Sequence, residues 1–286
     1  MNPEAIEALI AAEGLPADYR AVVEHHWAPL ADRIATLPRP SVVGINGAQG
    51  SGKTTLCRFL EPQLAGRGVR AATVSLDDLY LTRSERRRLA ANVHPLFATR
   101  GVPGTHDIAL GETLFDTLLQ HSGAVVPRFD KARDDRAPDG RAIAGPLDVV
   151  LFEGWCVGAI PQPAAALAEP ANRLEAEEDQ RGIWRREVNR RLSTDYAALF
   201  ARIDWLVMLK VESFAAVRAN RLLQERKLAL AQPGGAALMD EAALDRFVQH
   251  YERLTRWQLA EMPTRADLAI SIGPDQRPSG SGRQIV

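Results

Sequence analysis

Gly47-Ala48-Gln49-Gly50-Ser51-Gly52-Lys53-Thr54 has the spacing G-x-x-x-x-G-K-[ST]. Glycines so placed let successive backbone N–H groups turn inward as a nest for an anion, and a helix opening at Lys53 adds its N-terminus to the same site. Lys53 is then expected to bridge the β- and γ-phosphates of ATP, and the Thr54 hydroxyl to ligate Mg²⁺. Gly47, Gln49, Gly50, Ser51, Gly52 and Thr55 complete the expected nucleotide contacts. Two acidic segments suit the same chemistry. Val149-Val150-Leu151-Phe152-Glu153-Gly154 reads as a buried strand ending in a carboxylate, placed to hold Mg²⁺ or to position a nucleophile. Ser75-Leu76-Asp77-Asp78-Leu79-Tyr80 closes another strand, and ligands gather at the carboxyl ends of parallel strands. Asp77 is the expected base for an attacking hydroxyl and, with Thr54 and Glu153, a metal ligand. Asp78 and Tyr80 are expected on the substrate side, an Asx-type turn being the structural alternative for one of the two aspartates.

Arg100, His106, Arg128 and Lys131 lie in polar segments rich in Gly and Pro. Arginine grips a carboxylate through two parallel hydrogen bonds, so these residues are candidates for binding a small anionic acceptor, with Asp107 and Asp130 orienting them or holding hydroxyls. Loop ion pairs of little energetic weight are the alternative for each. Arg218, Arg221 and Arg226 share one helical segment, which would either close over the phosphates, Arg221 touching the nucleotide, or form a solvated basic face. The sequence has no NKxD guanine-selecting run and no LSGGQ-like signature, which argues against a switch GTPase and a transporter ATPase.

These residues need elements to carry them. Residues 3–36 have helical spacing and read as an N-terminal helical arm (1–37) ahead of a catalytic domain (38–275) and a flexible tail (276–286). Beyond the arm, strands are expected at 41–45, 70–76, 124–127, 149–152, 205–209 and 268–272. Helices are expected at 53–66, 108–120, 184–200, 214–231 and 240–261. Strands alternating with helices imply crossovers, hence an α/β fold with a mainly parallel sheet covered on both faces. Residues 82–103 and 130–146 read as polar loops, and 161–182 as part loop and part short helix.

With 35 basic against 36 acidic side chains the net charge is −1, so counterion-driven adhesion to nucleic acid or to an anionic membrane is not expected; anion binding must be local. Cys57 and Cys156 are the only cysteines, too few for a disulfide framework or a structural zinc site. The first residues lack a basic stretch followed by an apolar one, and no apolar run approaches the ~18 residues of a membrane span, so a soluble, cytoplasmic protein is expected.

One run is more specific than the rest. Arg100-Gly101-Val102-Pro103-Gly104-Thr105-His106-Asp107, taken with the phosphate loop, Ser75-Leu76-Asp77-Asp78, Pro127-Arg128-Phe129-Asp130-Lys131 and Phe152-Glu153-Gly154-Trp155, resembles the D-glycerate 3-kinase family. That family comprises plant-type glycerate kinases and microbial relatives, within the phosphoribulokinase, uridine kinase and pantothenate kinase group. The resemblance runs from about Val42 to Tyr251, through Asn172, Leu174-Glu175, Asp179, Trp184, Asn189, Tyr196 and Gln224-Glu225. Three features depart from the family pattern: the segment from Tyr251 to Trp257 lacks a proline, the Gly/Ser/Arg tail is unfamiliar, and Asn220 stands where an aromatic precedes Arg221. The resemblance implies a P-loop kinase fold and transfer of the γ-phosphate of ATP, with Mg²⁺, to a hydroxyl of D-glycerate, Lys53, Thr54, Asp77 and Glu153 carrying the chemistry. A kinase of another small acceptor, such as a nucleoside or pantothenate, and a regulatory nucleotide-binding NTPase are the alternatives.

Overall fold

A computed structural model describes residues 2–231 and 241–279. The side chains of Gln224, Glu225 and Arg226, the position Asp240, and tail residues 280–286 lie outside the described residues. Seven strands are described: β1 (Ser41–Gly47), β2 (Ala71–Ser75), β3 (Gly123–Asp130), β4 (Asp135–Ala144), β5 (Val149–Gly154), β6 (Trp205–Val211) and β7 (Leu268–Ile272). The helices are α1 (Pro3–Ala12), α2 (Arg20–Val22), α3 (Ala28–Ala35), α4 (Lys53–Ala65), α5 (Arg83–Asn92), α6 (Ile108–Gln120), α7 (Arg173–Glu178), α8 (Ile183–Ser193), α9 (Asp195–Phe200), α10 (Phe214–Ala231) and α11 (Glu241–Glu261).

Five strands form one sheet in the order β2-β5-β1-β6-β7, every neighbouring pair parallel. Burial on both faces explains why β1, β5 and β6 read as nearly unbroken apolar runs. Alternate side chains go to opposite sides. Val43, Ile45, Val149 and Leu151 meet α4 and the arm, while Val42, Val150 and Phe152 meet α6 and α9. The arm shares the first of these cores, with Val23, Trp27, Leu30 and Ile34 buried against Leu56, Phe59 and Leu60 of α4.

Four segments differ from the sequence expectation. Residues 82–103 hold α5, whose Thr82 and Glu85 form a capping box, and a 3-10 turn at Pro95–Ala98. Residues 130–146 are not a loop: β4 returns antiparallel on β3, and this hairpin is a sheet of its own rather than part of the parallel one. The helix expected over 184–200 breaks at Thr194 (φ −118°, ψ −98°) into α8 and α9. Past β7 the chain turns back instead of trailing away, with Ser279 N–H donating to Ser271 O at 2.8 Å and Arg277 paired with Asp18 at 2.7 Å.

Candidate active site

The parallel register sets out the site. β1 ends at Gly47 and feeds the glycine loop, and the paired strands β2 and β5 bring Ser75 opposite Glu153 at the same edge. Gly50 (φ +75°) and Gly52 (φ +88°) take left-handed backbone that side-chain-bearing residues avoid, so the loop can curl into the first turn of α4. A Cβ on Gly47 would collide with Ser51 Oγ.

Lys53 Nζ leans back on Ala48 O at 3.1 Å. Loss of water around the ammonium lowers its pKa, and the charges of Glu153 and Asp77 oppose that. Thr54 Oγ1 donates to Glu153 Oε1 at 3.2 Å. Burial raises the Glu153 carboxyl, with Lys53 pulling the other way. Burial would also raise Asp77, but Lys131 Nζ at 2.7 Å from Oδ2 and the Tyr80 hydroxyl at 2.7 Å from Oδ1 outweigh it and hold this carboxyl far below the usual range. Asp78 Oδ1 accepts from Phe129 N–H at 3.2 Å, lacing the hairpin to the end of β2, and burial raises its carboxyl.

These groups surround one cavity of about 380 Å³. Gln49, Gly50, Lys53 and Thr54 line it together with Asp77, Asp78 and Glu153. Tyr80, Arg100, Lys131 and Arg221 complete the polar wall. Arg100 is held by Asp134 and lies 5.5 Å from the centre of the Phe129 ring. Arg221 stacks on Phe247 at 5.7 Å, whereas Arg218 is paired with Asp245 at 2.6 Å and lies outside the cavity wall. Gly47, Ser51, Gly52 and Thr55 belong to the loop and the first turn of α4 without lining the cavity.

Four expected acceptor residues do not converge on it. His106 is buried behind Tyr80, its ring stacked on that ring at 4.6 Å. The Tyr196 hydroxyl accepts from Gly104 N–H at 2.9 Å and is hydrogen-bonded to His106 Nδ1 at 2.5 Å, and burial pushes the imidazole down to about 3, so the residue braces a loop as a neutral ring. Asp107 caps α6 through Leu110 N–H at 3.1 Å and holds Arg136 at 3.1 Å. Arg128 pairs with Asp139 across the exposed hairpin at 2.8 Å. Asp130 caps the hairpin turn, accepting from Ala132 and Arg133 N–H at 2.9 and 3.1 Å. Local hydrogen-bond demand in a tight turn and at a helix start takes these side chains up.

Of the expected metal set, Thr54 and Glu153 touch each other, while Asp77 carries Tyr80 and Lys131 on its two oxygens. Among the described residues no group of three or more His, Cys, Asp or Glu is assembled to hold a metal. Two oxygen donors beside a phosphate loop fit Mg²⁺, which keeps several waters and takes few protein ligands. Ser75, Phe129, Trp155, Phe247 and Tyr251 line the cavity although their types did not single them out. Trp155 Nε1–H donates to Gly101 O at 2.8 Å and Tyr251 O–H to Arg100 O at 2.9 Å, so two of the aromatics carry the loop that presents Arg100. Gly101 (φ +124°) is needed there, since a Cβ would strike the Tyr251 ring.

A parallel sheet flanked by helices, with a glycine loop feeding α4, is a P-loop fold, and relatives named as kinases make this one a small-molecule kinase. The chain is 34% identical over 225 residues to an uncharacterized kinase of Schizosaccharomyces pombe, mug58, covering 74% of this chain and 79% of that protein. It is 33% identical over 258 residues to the chloroplastic D-glycerate 3-kinase of Arabidopsis thaliana, covering 84% of this chain but only 54% of the plant protein. The solved D-glycerate 3-kinase of Cryptococcus neoformans superposes with a TM-score of 0.72 at 27% identity, over 93% of this chain and 98% of that one. The chain belongs to the D-glycerate 3-kinase family. No protein-family model matches it. No described helix is long and apolar enough to cross a membrane.

Proposed function

We propose that the chain transfers the γ-phosphate of ATP to a hydroxyl of a small hydroxy acid, D-glycerate giving 3-phosphoglycerate. The observation that carries this is the lining of one cavity, which brings the phosphate loop and its lysine together with Arg100, Lys131 and the Asp77 carboxylate. The names of two relatives, each a D-glycerate 3-kinase, support the same acceptor.

In this reading the backbone of Gln49 and Gly50 and the Lys53 ammonium hold the phosphates, and Arg221 approaches them from α10. Thr54 and Glu153 would hold Mg²⁺, which when bound supplies positive charge to phosphate oxygens. Arg100, fixed by Asp134, receives the acceptor carboxylate as a charge-assisted partner. Asp77 accepts the hydroxyl proton as the oxygen meets the phosphorus. The chain's own contribution is thus position and charge, which is what phosphoryl transfer asks of a protein.

A panel of acceptors tests the proposal: glycerate, glycerol, uridine and pantothenate, with ATP and Mg²⁺, followed by ADP release and by NMR of the product. Release that requires glycerate, with phosphorus on the terminal carbon, is the expected result. Phosphorylation of uridine or pantothenate in its place would reject the acceptor, and hydrolysis indifferent to every acceptor would reject the kinase reading.

A further inference from the structure

Both carboxylate oxygens of Asp77 already accept a hydrogen bond, Oδ1 from Tyr80 and Oδ2 from Lys131, each at 2.7 Å. A hydroxyl presented for phosphorylation needs one of those oxygens for its hydrogen. The two partners differ in how firmly they are held. Tyr80 is buried, stacked on His106 at 4.6 Å and edge-on to Phe129 at 5.0 Å, so its hydroxyl stays in place. Lys131 rides on the turn between β3 and β4, its side chain 62% exposed, and exposed ion pairs of this kind are weak. Arg100 lies near enough to repel the Lys131 ammonium, yet is itself pinned by Asp134. An anion entering between these two cations relieves that repulsion and offers Lys131 a second partner.

We infer that Lys131 is a latch operated by the acceptor: the acceptor's carboxylate draws Lys131 off Asp77 Oδ2, and Oδ2, relieved of that ion pair, takes the hydroxyl hydrogen. The inference rests on the hydroxy-acid reading above. In the step that follows, the acceptor O–H bond breaks and its proton passes to Oδ2. The acceptor oxygen bonds to the γ-phosphorus while the bond from that phosphorus to the β–γ bridging oxygen breaks, its electron pair leaving with ADP. With no acid bound, the ion-paired carboxylate activates water poorly, and ATP is spared. A neutral molecule of the same shape leaves the latch closed.

The test uses the full chain, as wild type, Lys131→Met and Lys131→Arg, with D-glycerate, its methyl ester, and propionate as a carboxylate without a hydroxyl. Wild type should prefer glycerate to the ester by roughly 10–100-fold, the value of a hydrogen bond between charged groups. Wild-type ATP hydrolysis without acceptor should be slow and should rise when propionate is added. Lys131→Met should use glycerate less well, turn the ester over faster than wild type does, and hydrolyse ATP faster without acceptor and indifferently to propionate; Lys131→Arg should restore the wild-type pattern. A lysine that only bound the acid would give the loss on glycerate but neither gain, so ester turnover and acceptor-free hydrolysis unchanged in Lys131→Met overturn the latch. If wild type ignores glycerate, the acceptor reading fails on that observation alone, and the propionate and hydrolysis measurements still decide the latch.

Discussion

Replacing Asp77 by Asn separates chemistry from folding. The amide keeps the side chain's volume and can still accept from Tyr80, but it loses the charge that attracts Lys131 and the basicity that receives a proton. The stability cost is small: Asp77 and Lys131 are 31% and 62% exposed, and screened pairs contribute about 0–1 kcal/mol. The kinetic cost is not, because a positioned general base contributes roughly 10²–10⁴-fold, or about 3–5 kcal/mol of barrier. A coupled ADP-release assay at saturating ATP and acceptor should therefore show kcat down by at least about 10²-fold. ATP affinity and the thermal midpoint should stay near wild type. The sign with pH is also fixed. A carboxyl held below its ordinary 3.8 stabilises the fold above that pH, and the contribution fades as pH falls further; Asp77→Asn lacks that acid-limb component. Near-normal turnover in this variant would remove Asp77 as base, and a large fall in midpoint at neutral pH would show that the ion pair is structural.

Lys53→Ala removes the ammonium from the phosphate loop and should weaken ATP binding by roughly 10–100-fold, as for a lost charge-assisted hydrogen bond, with turnover reduced as well; unaltered ATP kinetics would contradict the loop's assignment. Trp27, 2% exposed, is embedded in the core that the arm shares with α4, so Trp27→Ala should cost roughly 3–5 kcal/mol in urea unfolding and still give one transition. Two separated transitions would show an independently folding arm. Burial pushes His250 down to about 4 from 6.5, so the unfolded chain takes up a proton before the folded one does, and stability should fall as pH drops from 6.5 toward 4. His250→Gln should flatten that decline, and an unchanged slope would show that the ring is not held neutral.

The phosphate loop and the strands around it were legible because their physics is local. Glycines before a lysine specify a curled backbone, and runs such as Val149–Phe152 specify a strand buried on both faces. The hairpin was not legible, since β4 reads Asp-Arg-Ala-Pro-Asp-Gly-Arg-Ala-Ile-Ala and buries only Ile143. With no period-2 stripe there was nothing to set against the turn residues. α5 was hidden by Arg-Ser-Glu-Arg-Arg-Arg, although Thr82 and Glu85 spelled its start; its inward-facing residue is Arg86, buried on Leu81 O, Ala98 O and Asp134. The acceptor wall was half legible for a related reason. Arginines and aspartates in glycine-rich segments look alike in sequence whether they face a ligand or each other, and only the fold distinguishes Arg100, turned to the cavity, from Arg128, spent on Asp139. Trp155 and Tyr251 were passed over because they reach the site by bonding to a loop backbone, which no residue type announces.

The separation of the molecule into two sheets bears on how such an enzyme diversifies. The phosphate-handling groups ride on strands whose hydrogen-bond ladders are closed on both sides, like the fixed jaw of a vise. Lys131 and the anchor of Arg100 ride on a two-stranded jaw, tied to the fixed one by Phe129 on Asp78 and by Arg141 on Thr73 O; among the described residues the outer edge of β4 pairs with no other strand. Insertions, register changes and new side chains in that second jaw can alter what is gripped without rebuilding the strands that carry the phosphate loop and Glu153. Relatives that share one kinase core can in this way come to serve different acceptors by retooling a single hairpin, here Gly123 to Ala144.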